Sequence, residues 1–209
     1  MIKWLQKEWG KLASKYTEDK STIEDYWNEI NKQYSLNSRH YHNLSHLYNM
    51  LNQLENYTDE IMHLDSLKFA IWYHDIIYKS SKKDNEEKSA LFAKKRLKHL
   101  NIDDKSIEIV QKLIISTKKH EIILPNNNDN AYLLDLDLSI LGTDHKKYQS
   151  YIQNIRKEYK IYPDFMYKPG RKKVLNHFLE RETLYFTDTF KNKYEVQARL
   201  NIKNEIDLL

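Results

Sequence analysis

No cysteine occurs among the 209 residues, which rules out disulfides and any thiolate site for zinc or an iron–sulfur cluster. A metal bound here would have to be held by histidine, aspartate or glutamate, a donor set suited to borderline or hard divalent ions. Glycine and proline are also scarce, at 3 each, far below ordinary usage. A β-sandwich or barrel needs such residues at its many turns, so their scarcity points to helices joined by short polar loops. No apolar run approaches the roughly 18 residues of a membrane span, and the opening MIKWLQKEWG is amphipathic rather than signal-like. The expectation is a cytoplasmic protein with no membrane partner.

What is abundant is charge of both signs. The 34 basic and 30 acidic residues leave a net charge of +4 and are interspersed rather than gathered into an arm or tail, which disfavours a nucleic-acid partner. The length suits one folded unit with a sizeable core. The fold expected is all-α: a single compact helical domain over 1–209, with 1–35 as an N-terminal helical extension packed on it. Whether it forms a homodimer is left open by the sequence.

Apolar residues recur at helical spacing along most of the chain. Leu44, Leu47, Leu51 and Leu54 mark one helix, and Leu67, Ala70, Ile71, His74 and Ile77 the next. Asn85-Glu86-Glu87 opens another, and the face over Ile107, Val110, Ile114 and Thr117 runs on to His120. The Asn-rich stretch Pro125 to Asn130 is the clearest break. After it, Tyr132 begins a short apolar helix that Gly142 closes as a C-cap. A helix face over Tyr148, Tyr151, Ile155 and Tyr159 follows, and a last one over Val174, Leu175, Phe178 and Leu179 comes after Pro169-Gly170.

Three groups of residues can carry chemistry. Arg39-His40-Tyr41-His42-Asn43-Leu44-Ser45-His46 concentrates three histidines and an arginine just where a helix begins, a position that suits anions. His74-Asp75 ends the apolar run Phe69-Ala70-Ile71-Trp72-Tyr73; a carboxylate beside an apolar face must be paired, exposed or metal-bound. Asp135 and Asp137 lie within an apolar run, and at two residues' separation one faces inward and the other caps or faces water. His63, His99, His145 and His177 sit among charged neighbours and read as surface residues.

The ordered set is His46, then His74-Asp75 28 residues on, then an acid 62 residues after Asp75. It resembles the H…HD…D signature of the HD superfamily of metal-dependent phosphohydrolases. The likeness is closer to a bacterial group described as predicted HD phosphohydrolases, and it spans Trp9 to Asn201. It rests on Arg39-His40-Tyr41-His42-Asn43-Leu44…His46 and on Trp72-Tyr73-His74-Asp75-Ile76-Ile77-Tyr78. It continues through Asn85-Glu86…Ser89-Ala90, Thr117-Lys118…His120, Asp135-Leu136-Asp137-Leu138-Ser139-Ile140-Leu141-Gly142, Arg156…Glu158-Tyr159 and Gly170-Arg171.

The resemblance implies an HD-type helical fold and a divalent metal (Mn, Fe, Co, Ni, Mg or Zn) held by His46, His74, Asp75 and Asp137. Asp137 is preferred to Asp135 because the superfamily's last aspartate leads directly into an apolar turn, as Leu138-Ser139-Ile140-Leu141 does here. Some members hold a second metal through further histidines, for which His42 and His120 are available; the position preceding Ser-Ala where they place a histidine holds Glu86 or Glu87. The activity implied is hydrolysis of a phosphate ester, with nucleotides and related small molecules as the leading substrates. Asp75 would orient the attacking water and Glu86 would carry the proton. Arg39, His42, Lys118, His120, Arg156 and Arg171 would bind the substrate. The alternative is a non-catalytic metal- and ligand-binding sensor or scaffold on the same fold.

Overall fold

Apolar residues at three- and four-residue spacing do become helices. The computed structural model describes residues 1–209 and has ten α-helices and no strand. In chain order these are α1 Ile2–Ala13, α2 Lys20–Tyr34, α3 Leu44–Leu54, α4 Leu64–Tyr73, α5 Asn85–His99, α6 Asp104–Ser116, α7 Asp129–Leu138, α8 His145–Glu158, α9 Asp164–Leu179 and α10 Asp188–Leu208. Short 3-10 turns cover Thr58–Glu60 and Ser139–Gly142. No helix is long and apolar enough to cross a membrane. The chain divides into two compact units, Met1–Leu133 and Leu134–Leu209.

In the first unit α4 is the axis. Its residues Leu67, Phe69, Ala70, Ile71, Trp72 and Tyr73 are all buried, so the helix is apolar on nearly every side, as expected of one surrounded by other helices. Helices α3, α5 and α6 pack on it, and α5 packs on α6. Trp9 of α1 sets its ring edge-to-face against Phe69, Trp72 and Tyr73, and α1 also packs on α2. Side chains of Asp19, Asn43 and Asp103 cap α2, α3 and α6 by accepting from backbone N–H groups, each satisfying a donor that a helix start leaves open.

In the second unit α10 is the longest helix and carries the buried residues Phe190, Ala198, Asn201, Ile202 and Glu205. Asn201 Nδ2 donates to the Leu141 and Thr143 carbonyls, both at 2.8 Å, which holds the 3-10 turn against α10. Glu205 is buried and receives Arg171 Nε at 2.7 Å and the Tyr148 hydroxyl at 2.6 Å. Such a charged pair persists in a core because its oxygens are also hydrogen-bonded.

Several boundaries differ from the sequence expectation, among them α4, which ends at Tyr73 and does not reach Ile77. Helix α6 stops at Ser116, before Thr117 and His120, and His120 adopts a left-handed backbone (φ 50°) in the turn beyond. Helix α7 starts at Asp129, inside the Asn-rich break, because Asp129 and Asn130 are themselves buried and bonded. Gly142 does not have a positive φ, so it is no left-handed C-cap; its reason is packing, since a Cβ there would lie 2.5 Å from Tyr194 Cβ. Helix α9 runs through Pro169-Gly170 instead of beginning after it. Pro169 lacks the N–H that would reach the carbonyl of Phe165 and its ring crowds that carbonyl, and both Pro169 and Gly170 lie on the exposed side.

Candidate metal centre

The site begins with two helix ends in the first unit. Asn43 precedes α3, accepts from Ser45 N at 2.8 Å and donates to the His40 carbonyl at 2.9 Å. This fixes the entry of the chain and places His46, 4% exposed, in the first turn of α3. At the other end, the apolar run of α4 delivers His74, whose backbone N–H donates to the Ala70 carbonyl. The next residue, Asp75, is held from α2. Its N–H donates to the buried Tyr34 hydroxyl at 3.2 Å, and that hydroxyl donates onward to the Trp72 carbonyl.

His46, His74 and Asp75 converge, with one ligand atom from each lying within 4.8 Å of the others. His74 Nδ1 is 2.9 Å from the Ile71 carbonyl. A carbonyl only accepts, so the proton sits on Nδ1, and Nε2 turns its lone pair to the cluster. His46 Nε2 lies 3.2 Å from His74 Nε2, and Asp75 Oδ2 also lies 3.2 Å from it. Ligands about 2.1 Å from one ion and 90–110° apart are separated by about 3.0–3.4 Å. The donor set therefore fits a divalent cation: two imidazoles and a carboxylate bring one ligand atom each close together, and the carbonyl that fixes the His74 tautomer is the outer partner such ligands use. Around this point His42 Nε2 is 4.0 Å from Asp75 Oδ2, and the His42 ring lies 4.3 Å from that of Tyr78. The Tyr41 ring lies 5.0 Å from that of His46.

Arg39 secures this arrangement. The residue is 6% exposed, and its guanidinium donates to three carbonyls: Asp75 at 2.6 Å, Ile76 at 2.9 Å and His42 at 3.1 Å. It also lies over the rings of Tyr34 and Tyr78. Helix α5 closes the other side of the same loop. Ser89 Oγ accepts from Ile77 N and donates back to its carbonyl, while the Asn85 amide bonds both backbone groups of Lys79. Arg39→Met should leave all three ligands in place but free the loop that carries Asp75. The expected result is a loss of about 10–100-fold in divalent-metal affinity, read by titration calorimetry.

No protein-family model, curated protein or solved structure matches the chain. The site stands on its own chemistry.

Glu86 lies in the first turn of α5 and is half-buried. Burial, joined by the negative charge of Asp75, raises its carboxyl above the usual range, so it keeps a proton to higher pH than an exposed glutamate. Lys118 is ion-paired with Glu87, one position further along α5. His120 is half-buried in the turn after α6.

The remaining singled-out residues belong to the second unit. Asp135 is fully buried and accepts from Phe186 N, Thr187 N and Thr187 Oγ1 at 2.7–2.8 Å, tying α7 to the start of α10. Burial pushes its carboxyl up to about 6 against the pull of those donors. Asp137 is half-buried, and its charge acts on Tyr151. The Tyr151 hydroxyl also receives Arg171 Nη2 at 3.3 Å, and Arg171 Nε and the same Nη2 donate to Glu205. Arg156 donates to the Tyr159 and Tyr162 carbonyls and pairs with Asp164. Arg39, Arg156 and Arg171 thus all hold backbone or a buried carboxylate in place.

Tyr34, Asn85 and Ser89 shape the site without having been assigned a role from sequence. Asn85 and Ser89 sit within the recurring pattern around Glu86, which was their only signal; Tyr34 gave none, being 41 residues from the backbone it holds. His63, expected at the surface, is half-buried and bonds Asp129 at 2.9 Å.

Proposed function

We propose that the protein is a metal-dependent phosphohydrolase with an HD-type fold, acting on a phosphate ester, with nucleotides and related small molecules as the leading class. The observation that carries this reading is the convergence of His46 Nε2, His74 Nε2 and Asp75 Oδ2 on one point, with the His74 tautomer fixed from behind. Asp137 is proposed as the fourth ligand from the sequence pattern. The choice over Asp135 is supported by the three donors that already occupy the Asp135 carboxylate. A divalent ion held this way supplies charge neutralisation at a phosphoryl oxygen and acidifies a water.

The chain's own groups supply the rest. Asp75 has its backbone fixed by Tyr34 and Arg39 and is placed to orient the attacking water. Glu86, with its raised carboxyl, is suited to deliver a proton to the leaving oxygen. His42, 4.0 Å from Asp75, is a further donor for a phosphoryl oxygen, and Tyr41 and Tyr78 offer ring faces beside it. Lys118, His120, Arg156 and Arg171 stay proposed substrate contacts on the sequence pattern alone.

The test is phosphate release from a panel of nucleotides and phosphate esters with Mn, Fe, Co, Ni, Mg or Zn added, run beside Glu86→Gln. Metal-dependent release is expected. A protonated Glu86 is needed at the leaving group, so activity should be present below its raised pKa and fall as pH rises through it. Glu86→Gln should lower turnover about 100-fold and abolish that alkaline limb. Tight metal binding with no turnover on any substrate would instead favour a sensing or scaffolding role.

A further inference from the structure

The corner between α8 and α9 carries three large apolar side chains that the fold does not cover. Ile161 is 60%, Phe165 77% and Met166 52% exposed, while Ile155, Tyr167 and Leu175 close by are buried. The corner is held in shape. Arg156 donates to the Tyr159 and Tyr162 carbonyls, pairs with Asp164 at the start of α9, and lies 4.6 Å over the Tyr167 ring. The exposed apolar tips are therefore presented by a braced turn. Beyond them, Pro169 and Gly170 continue the same outer side of α9, and a Cβ added at Gly170 would meet nothing.

The charge around these tips is one-sided. Residues 156–173 contain seven basic and two acidic residues, a net +5 against +4 for the whole chain. Of the two acids, Glu158 is buried and Asp164 is taken by Arg156. Lys157, Lys160 and Lys173 are exposed, Lys168 and Lys172 half-exposed, and none of the five enters an ion pair, whereas Lys11, Lys15, Lys68, Lys88 and Lys112 elsewhere all do. Charges of both signs are interspersed over the chain as a whole, and this one stretch is a local basic excess.

We propose that this corner docks the protein on an anionic lipid surface, with Ile161, Phe165 and Met166 entering the interface and the five lysines meeting the headgroups. Apolar insertion and a polybasic patch are the two signals that together hold a peripheral protein at a membrane, neither sufficing alone. The combination of exposed apolar side chains and basic excess favours lipid over protein. Three isolated exposed side chains would need a matching hollow and about 800 Å² of fitted surface in a protein partner, and a lipid interface needs neither. Self-association would set the unpaired lysines against their own copies. This is attachment to a surface and involves no spanning segment; it does not depend on the metal site.

The test is co-sedimentation of the full chain with vesicles of phosphatidylcholine alone and with about 30 mol% phosphatidylserine. Binding is expected only to the anionic vesicles and should weaken as salt is raised. Phe165→Ser with Met166→Ser should reduce the partition coefficient about tenfold or more, and so should Lys168→Glu with Lys172→Glu. These side chains are partly or largely exposed, and an unchanged thermal melt shows that each variant is folded. Absence of binding to anionic vesicles, or binding indifferent to the Phe165 and Met166 changes, would overturn the proposal. A concentration-dependent dimer lost in Phe165→Ser, without vesicle binding, would overturn it too and assign the face to a second copy.

Discussion

Asp75→Ala is expected to abolish metal uptake and metal-dependent phosphate release together. Asp75 supplies the one negative charge among the converging donors, and its Oδ2 lies 3.2 Å from His74 Nε2. Loss of an outer partner of a metal ligand costs about 10–100-fold in affinity, so loss of an anionic ligand should exceed 100-fold. The substitution leaves the surrounding frame intact, because Arg39 and Tyr34 hold the backbone of residue 75 and not its side chain. The metal-free variant should accordingly melt within a few degrees of wild type, a change of about 1 kcal/mol or less. Removing the charge of Asp75 should also lower the Glu86 carboxyl, because that charge contributes to its elevation. Titration calorimetry reads the metal affinity, phosphate release the activity, a thermal melt the stability, and an NMR pH titration of the metal-free variant the Glu86 carboxyl. Unchanged metal affinity would eliminate the proposed ligand set, and with it the hydrolase reading.

How much of this was legible in the sequence depended on distance along the chain. The helices could be read because their cause is local: the run from Leu67 to Tyr73 is apolar enough to require burial, and α4 is the axis of its unit. His46, His74 and Asp75 stood out by residue type and spacing, and the structure brings them together. The work of Arg39 could not be read that way. Beside two histidines it looks like an anion contact, and only the folding back of residues 75 and 76, far along the chain, gives its guanidinium carbonyls to bind.

Asp135 and Asp137 show the same limit. Their two-residue spacing fixed that they face different ways, but the donors that claim Asp135 come from Phe186 and Thr187, about 50 residues later. The Pro169-Gly170 pair misled in the opposite direction. Both residues disfavour helix locally, and α9 runs through them because Tyr167 and Leu175 are buried on its inner side.

Gly142→Ala is the second large effect, and its cause lies wholly in packing. A methyl group at this position would sit 2.5 Å from Tyr194 Cβ, 2.8 Å from the Tyr194 carbonyl oxygen and 2.9 Å from its Cα. Two of these atoms are backbone of α10 and the third is the root of a side chain, so no rotamer change relieves the contact. The turn cannot simply withdraw, because Asn201 binds the carbonyls on either side of it, Leu141 and Thr143. Gly142 has no positive φ, so alanine carries no backbone penalty, and its lower unfolded-state entropy would by itself stabilise the protein by about 0.4–1 kcal/mol. Overpacking of a buried contact costs about 1–3 kcal/mol when side chains can adjust. With helix backbone as the obstacle, a net loss of about 3 kcal/mol is expected in denaturant unfolding. Gly142→Ala with Tyr194→Ala would leave this contact unrelieved, since the Tyr194 Cβ, Cα and carbonyl remain in alanine. Full stability in the single variant would show that α10 and the turn can separate at little cost.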